Sequence, residues 1–527
     1  MTEEDEALLS EKLGDPLWRL TSGCLYNIRT ADGQGVIPFI PRAEQVELLQ
    51  KLVASMYSGK ESGNLFAEIK SRRLGYSTTI GVFAADCLLF IRDFTGTLID
   101  QTQHDATIKL NGIVKVAVAS AAEILRDEDG MPLVTVEKDN DSQLVIDVAG
   151  TGKSEFFAST KSRGGSNRLL WVSEWGPIQF EDAKRSEEIR SGALPSARHG
   201  VTIVETTWKG GKGGDLWDII EPTISGSAAD WAVHFTPWWR DPRNVSEDAV
   251  IDYPALAYFV KIRERLQRDS ITLSERQQRW WAAERRNRGI FMLRENPTFL
   301  DECWAAPVEG AIYAEAISRA QAEGRICAMP IDGSNPVHTF WDLGSPKNTV
   351  VWYAQVVGRE IRVIDCDKGF DGTATERVAM MKAKGYNFGK HYLPHDAQQT
   401  ERSGETLTGT LVKAGIPSSS IVCVPRCHSI WVGINHALEM FPALSFNEPK
   451  CRDGLTALGA YHVKKVTMGS GQEPVHDWSS HASDAFRYLA EAHYHNLLAF
   501  KHSTAQPTKM FGGNRRGMRA ATVSARG

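Results

Sequence analysis

Two groups of residues in this chain have types and spacings suited to phosphate chemistry. In the first, the apolar run Leu65-Phe66-Ala67-Glu68-Ile69 leads into Lys70-Ser71-Arg72-Arg73-Leu74-Gly75-Tyr76-Ser77-Thr78, with helix-forming sequence from about Thr79. A strand, a tight loop, a hydroxyl and a helix N-terminus form a phosphate cradle. Backbone N–H groups and the helix dipole face the anion, and a Ser or Thr hydroxyl holds Mg²⁺. The strict G-x-x-x-x-G-K-[ST] pattern is not met, because Lys70 stands at its first Gly and Tyr76 at its Lys. The positive charge must then come from Lys70, Arg72 or Arg73. Further on, Arg168-Leu169-Leu170-Trp171-Val172-Ser173-Glu174 is an apolar strand ending in a carboxylate, where a general base would orient water against a γ-phosphate. Gly150-Thr151-Gly152-Lys153-Ser154 has the Gly-Lys-Ser ending, but Asp147 takes its first-Gly position and only about twenty residues separate it from Glu174. It is rejected as the cradle.

The second group is acidic. Asp342 ends the run His338-Thr339-Phe340-Trp341, Asp396 ends Leu393-Pro394-His395, and Asp484 lies in the helical pattern His481-Ala482-Ser483-Asp484-Ala485-Phe486-Arg487-Tyr488. Hard carboxylate oxygens from two strands and a helix bind Mg²⁺ or Mn²⁺ with positions open for a phosphodiester. Each Asp alone reads as a cap, a turn or a surface group. His395, His481 and Asp477 are candidates to orient carboxylates or water, whereas His476 and His493 read as packing or surface residues. Cys423-x3-Cys427-His428, with Cys451 beyond, lacks a second regular ligand pair and reads as core rather than zinc.

The elements that must position these groups set the fold class. Apolar runs at Leu65–Ile69, Thr97–Gln101, Leu144–Val148, Leu169–Val172 and Val201–Glu205 alternate with helical stretches, which predicts an α/β unit with a mainly parallel sheet over residues 1–240. The pattern breaks at Pro237-Trp238-Trp239-Arg240-Asp241-Pro242, and a helical, basic linker or lid is expected over 241–330. Strand patterns at Val337–Trp341, Thr349–Val357 and Glu360–Cys366, then a helix near Thr375–Lys384, open a second α/β domain over 331–500. Residues 501–527 read as a flexible basic tail.

Composition narrows the class further. With 527 residues, 42% hydrophobic and 24% charged, the chain is long enough for several cores and is neither disordered nor fibrous as a whole. The most apolar stretch, Val82–Ile91, contains Asp86 and is too short to span a bilayer, so no membrane is expected. Thr2-Glu3-Glu4-Asp5-Glu6 lacks the layout of a secretory signal, and eight scattered cysteines suit a reducing compartment, so a cytoplasm is expected. The formal charge is −5, yet Lys261–Arg294 holds ten Lys/Arg against four Asp/Glu, and Lys501–Gly527 six against none. Basic patches on an acidic body fit local contact with a polyanion.

In their order these segments resemble the large terminase subunit of tailed bacteriophages. Phe39-Ile40-Pro41-Arg42-Ala43-Glu44-Gln45 is similar to the family's adenine-reading segment, in which the Gln pairs with the base. Lys70–Thr78 resembles its deviant phosphate loop, with Arg72 as the early arginine and Lys70, Ser71, Arg73, Gly75, Ser77 and Thr78 around the nucleotide. Arg163-Gly164-Gly165 and the strand to Ser173-Glu174 resemble the region carrying the catalytic acid, and Arg163 is a candidate arginine finger. Val201-Thr202-Ile203-Val204-Glu205-Thr206-Thr207 resembles the coupling motif, with Glu205, Thr206 and Thr207 sensing hydrolysis. The match continues through Phe235-Thr236-Pro237-Trp238 and Glu295-Asn296-Pro297-Thr298, so it covers about residues 35 to 490. Asp342, Asp396 and Asp484, with the Ser480-His481-x-x-Asp484-Ala485-x-Arg487-Tyr488 ending, resemble the family's RNase H-like nuclease. The chain departs from the family at Tyr76, at Ser173 where an Asp is usual, and at Ser345-Pro346-Lys347-Asn348 where many members carry another Asp.

The resemblance implies an ASCE-type P-loop ATPase followed by a linker and an RNase H-like nuclease. It implies ATP and Mg²⁺ as cofactors, with Mn²⁺ as an option in the nuclease. The partners it implies are double-stranded DNA, a portal protein and a small terminase subunit. The chain would act as a homo-oligomeric ring on a procapsid in the host cytoplasm, with Glu174 and Arg72 catalytic for ATP hydrolysis and the three Asp catalytic for cleavage. Two other classes stand beside it: a helicase-like translocase whose second domain binds DNA without cutting, and an assembly protein with a relic ATPase fold.

Overall fold

Along the strands of the N-terminal half, successive side chains alternate between two apolar layers rather than between core and solvent. Leu169 and Trp171 pack on one face with Val201, Ile203 and Phe66, while Leu170 and Val172 pack on the other with Ala67, Ile69 and Val204. A sheet covered on both faces needs such continuous apolar runs, and parallel sheets are built this way. The computed structural model describes residues 11–30, 35–58, 64–160, 166–305, 308, 310–343, 348–369, 372–398, 406–463 and 473–498. The Arg163-Gly164-Gly165 segment, Ser345 to Lys347 and the basic tail lie outside the described residues.

A short antiparallel pair, β1 (Asn27–Arg29) and β2 (Val36–Pro38), precedes the first large sheet. That sheet contains β3 (Leu65–Lys70), β4 (Thr95–Ile99), β5 (Val134–Asn140), β6 (Gln143–Val148), β7 (Gly152–Ser159), β8 (Leu169–Ser173), β9 (Val201–Thr206) and β10 (Ala232–Thr236). Its order is β10-β3-β9-β8-β4-β7-β6-β5, parallel from β10 to β7 and antiparallel at β6 and β5. β9 stands between the loop-bearing β3 and the acid-bearing β8, the arrangement of the ASCE-type ATPase fold. Gly150 and Thr151 lie in the turn joining antiparallel β6 and β7, with no helix after them, so the rejected Gly-Lys-Ser run is a hairpin.

Between the sheets, two helices carry the basic segment. Tyr253–Arg268 is capped by Asp252, which accepts from the Ala255 N–H, and Glu275–Arg288 by a Ser274–Gln277 capping box. Trp238, Phe259, Ile262, Trp281, Met292 and Phe299 form their core, with Tyr258 stacked on Trp281 at 4.2 Å. The positive charge is largely neutralised at close range. Arg265 pairs with Asp301, Arg279 with Glu275, Arg285 with Asp252, Arg288 with Glu284 and Arg276 with Glu247.

The second sheet holds β11 (Ile326–Cys327), β12 (Val337–Asp342), β13 (Val350–Val357), β14 (Glu360–Asp367), β15 (Phe388–Leu393), β16 (Ile421–Cys423) and β17 (Leu444–Asn447). Its order is β11-β17-β14-β13-β12-β15-β16, and β13 runs against both neighbours. The stretch β14-β13-β12-β15-β16 is thus a three-stranded meander extended by two parallel strands, the RNase H-like arrangement. Phe340, Trp352, Ala354 and Val363 face one core and Trp341, Val351, Tyr353 and Ile364 the other. The helix Ser480–Tyr494 packs on the first of these through Ala482, Ala485, Phe486 and Leu489. Where the two sheet units meet, Phe180 stacks on His462 at 4.1 Å. Among the described residues no helix is long and apolar enough to cross a membrane.

Candidate functional site

The loop after β3 closes through two left-handed residues, Arg73 (φ 63°) and Gly75 (φ 72°). Gly75 is the N-cap of the helix Tyr76–Phe90, which therefore starts three residues before the position expected from sequence. A Cβ at Gly75 would also lie 2.8 Å from Gln45 Nε2, so both backbone and space require glycine. Tyr76, at the position of the usual lysine, is buried and turns away from the loop; its hydroxyl hydrogen-bonds Thr236 Oγ1 at 2.7 Å. The Thr236 hydroxyl in turn donates to Glu68 Oε1 at 2.6 Å. Burial, only partly opposed by that bond and by Lys51 and Lys70, pushes the Glu68 carboxyl up to about 7.

At the end of the sheet the loop hydroxyl meets two carboxylates. Ser77 Oγ, on the first turn of the helix, donates to Glu205 Oε1 at 2.7 Å, and Ser173 Oγ donates to the same oxygen at 2.7 Å. The Lys70 ammonium sits between Glu205 Oε2 at 3.0 Å and Glu174 Oε1 at 3.2 Å. Burial alone would lower Lys70, but Glu205 and Glu174 outweigh it and hold the ammonium well above its ordinary value. Glu174 itself is left-handed (φ 56°), and its Oε2 accepts from the Thr207 N–H at 3.0 Å and the Thr207 hydroxyl at 2.9 Å. Burial pushes its carboxyl up, yet Lys70, the Thr207 N–H and Lys109 together leave it below the usual range. The Lys109 ammonium bridges Asp100 Oδ2 and Ser173 Oγ, both at 2.5 Å. Nothing in the sequence marks Lys109, because it reaches the site from the helix Gln103–Lys109 beyond β4.

Other segments clamp the loop. The Ser71 N–H donates to the Thr236 carbonyl, and the Arg72 N–H to the Glu295 carbonyl, both at 2.9 Å. Arg72, 57% exposed, also pairs with the Glu295 carboxylate at 2.8 Å, so the loop is tied to the segment after the basic helices. Arg73 is exposed, and its carbonyl accepts from Arg243. Gln45 is buried: Oε1 accepts from the Arg42 N–H and Nε2 donates to the Leu74 carbonyl, so both its polar ends hold the loop and its own helix start. Thr78 is half-buried one residue beyond Ser77, and Thr206 Oγ1 accepts from the Gly176 N–H.

The three aspartates gather at one end of the second sheet. Asp342 ends β12, Asp396 lies exposed in the turn after β15, and Asp484 is half-buried on the helix Ser480–Tyr494. His481 Nδ1 is 3.1 Å from Asp342 Oδ2. Asp484 Oδ1 accepts from Arg487 Nε at 3.1 Å and Nη2 at 2.6 Å. Burial, opposed by Arg487 and reinforced by the charge of Asp342, raises the Asp484 carboxyl. Burial also takes the Tyr488 phenol up to about 12; Arg487 opposes this, and Asp396, Asp342 and Asp484 all add to it. Asp477 caps the approach to the helix, accepting from the Ser479 N–H at 2.9 Å, and His395 is half-buried beside Asp396. Among the described residues, no group of three or more His, Cys, Asp or Glu side chains is spaced to hold a metal ion. Neither the three aspartates as placed nor the Cys423–His428 run forms such a group.

Solved structures similar to this chain include phage large terminases. The large terminase of bacteriophage HK97 is 12% identical, covers 90% of this chain and 99% of its own, and superposes with a TM-score of 0.45. The large terminase of a thermophilic bacteriophage in complex with ADP is 12% identical over 84% of this chain and 98% of its own, with a TM-score of 0.30. The nuclease domain of the P22 large terminase is 18% identical and covers 33% of this chain and 89% of its own, with a TM-score of 0.27. No family model and no curated protein matches the chain.

Proposed function

We propose that this chain is the large subunit of a viral DNA-packaging motor, an ATPase that translocates double-stranded DNA into a procapsid and an endonuclease that cuts the concatemer. The observation that carries the reading is the union of two sheets in one chain. One presents Ser77 and Glu174 on either side of β9 at one edge, with Glu205 and Lys70 between them, and the other brings Asp342, Asp396 and Asp484 to one end. At the first site Glu174 is the general base, orienting the water that attacks the γ-phosphate. Thr207 is a positioning residue that fixes the Glu174 carboxylate through two hydrogen bonds, which makes the end of β9 the element that registers hydrolysis. Arg72 supplies charge at the phosphates after leaving Glu295. Mg²⁺, when bound with ATP, neutralises the β- and γ-phosphate oxygens. The donors beside the loop are Ser77, Ser173 and Glu205, an all-oxygen set that fits such a hard cation.

The second site does not fit a metal as its side chains stand, since Asp484 is committed to Arg487. That same pairing favours the second reading, a helicase-like translocase whose C-terminal unit binds DNA without cutting it. DNA, portal protein, small terminase subunit and a homo-oligomeric ring on the procapsid are the partners of the first reading. The deciding experiment incubates the full chain and Asp342→Ala with supercoiled plasmid in Mg²⁺ or Mn²⁺. Nicking by the parent alone supports the nuclease, and no nicking by either moves the reading to the translocase.

A further inference from the structure

P-loop ATPases hold Mg²⁺ between the loop hydroxyl and a carboxylate at the end of the acidic strand. In this chain that strand, β8, ends in Ser173, whose hydroxyl cannot supply the charge. The strand between, β9, places Glu205 in register with Ser173 on one side and with Glu68 on the other. Glu205 is fully buried, and one of its oxygens accepts from both Ser77 and Ser173 at 2.7 Å. We propose that Glu205 is the magnesium-side carboxylate of the nucleotide site, taking from the adjacent strand the place that Ser173 leaves empty of charge. The inference deepens the ATPase reading above and depends on it.

The electrostatics point the same way. Glu174 and Glu205 share the single Lys70 ammonium, while Lys109 is matched by Asp100, so one negative charge is left over beside the Ser77 hydroxyl. A buried carboxylate is costly unless it is paired or coordinates a cation, and a hydrogen-bonded pair alone is weak reason to keep one in a sheet interior. A residue serving only to sense hydrolysis would need no contact with Ser77. Glu205 has that contact, and Thr207 has the contact with Glu174, so metal holding and sensing fall on different residues of one strand end.

The test is equilibrium binding of the fluorescent nucleotide mant-ADP to the full chain, with and without Mg²⁺. In the parent, Mg²⁺ tightens binding. In Glu205→Gln that tightening, taken as the ratio of affinities with and without Mg²⁺ in the same variant, falls by about 10- to 100-fold, the range for losing a partner of a metal site. Adding Ser173→Asp to Glu205→Gln restores it, because the carboxylate returns to the neighbouring strand. Glu205→Asp keeps the charge beside Lys70, and hence the fold, but withdraws the carboxylate by about 1.5 Å; it too weakens the magnesium effect. Parent-like magnesium dependence in Glu205→Gln, or in Glu205→Asp should the former not fold, overturns the assignment and leaves the ATPase reading intact. A parent chain that binds no mant-ADP in either condition overturns both.

Discussion

Replacing Lys70 with methionine isolates the charge that binds β3 to the two carboxylates. The Lys70 side chain is 6% exposed and its ammonium lies 3.2 Å from Glu174 and 3.0 Å from Glu205. Breaking a buried pair by removing one partner costs about 3–5 kcal/mol, and here one cation serves two anions. At about 2–4 °C per kcal/mol for a unit of this size, the transition of the N-terminal unit should fall by roughly 6–20 °C near neutral pH. The pH dependence gives the sharper test. In the parent, Glu174 is held below its ordinary value, so its contribution is present above the normal Glu range and lost as pH falls through the lowered value. Without Lys70, burial becomes the dominant influence and carries Glu174 upward, which reverses the sign: the carboxylate destabilises at high pH and is relieved on protonation. Scanning calorimetry of both chains from about pH 8 to about pH 5 should therefore show a deficit that shrinks on acidification. A variant that melts with the parent at neutral pH, or a deficit that grows as pH falls, would refute the account.

Glu174→Gln should lower ATP turnover by about 100-fold or more while mant-ADP binding persists, read by phosphate release and fluorescence; Ser77→Ala should lose turnover as well. Arg72→Ala should lower turnover more than Arg73→Ala, because Arg72 alone is held at the loop by an acid it must release, and equal losses would remove the distinction. Asp342→Asn and Asp396→Asn should each abolish plasmid nicking with ATP turnover and melting close to the parent. Asp484→Asn should abolish nicking and also lower the melting temperature of the second unit, since it strands the half-buried Arg487.

The first sheet is legible because both its faces are covered, so β3, β8 and β9 read as mostly apolar runs with a loop or an acid at one end. Helix starts were less so. Gly75 in its left-handed conformation begins the helix at Tyr76, and no periodicity distinguishes Tyr76 inside the first turn from Tyr76 in the loop. Polar partnerships across strands were not legible at all. Glu205 read as part of a coupling motif by its order in the chain, and only the register with Ser173 brings it to Ser77. In the basic segment the charge excess is visible in sequence, but Glu247, Asp252 and Asp301, which pair with Arg276, Arg285 and Arg265, lie outside the counted window. Of the three aspartates, chain order indicated the strand ends and the helix, whereas the commitment of Asp484 to Arg487 is a rotamer-level fact that no spacing encodes.

Glu174 holds its side chain from a backbone with φ 56° and ψ 44°. For a residue with a Cβ this conformation costs about 1–2 kcal/mol, a cost that glycine avoids and asparagine largely escapes. Relief of that strain is smaller than the loss of the buried pair with Lys70, which a Gly or Asn at 174 forfeits together with both Thr207 hydrogen bonds. Heat resistance and turnover therefore select in the same direction at this one codon, and a library ranked only by survival at high temperature should keep the strained glutamate.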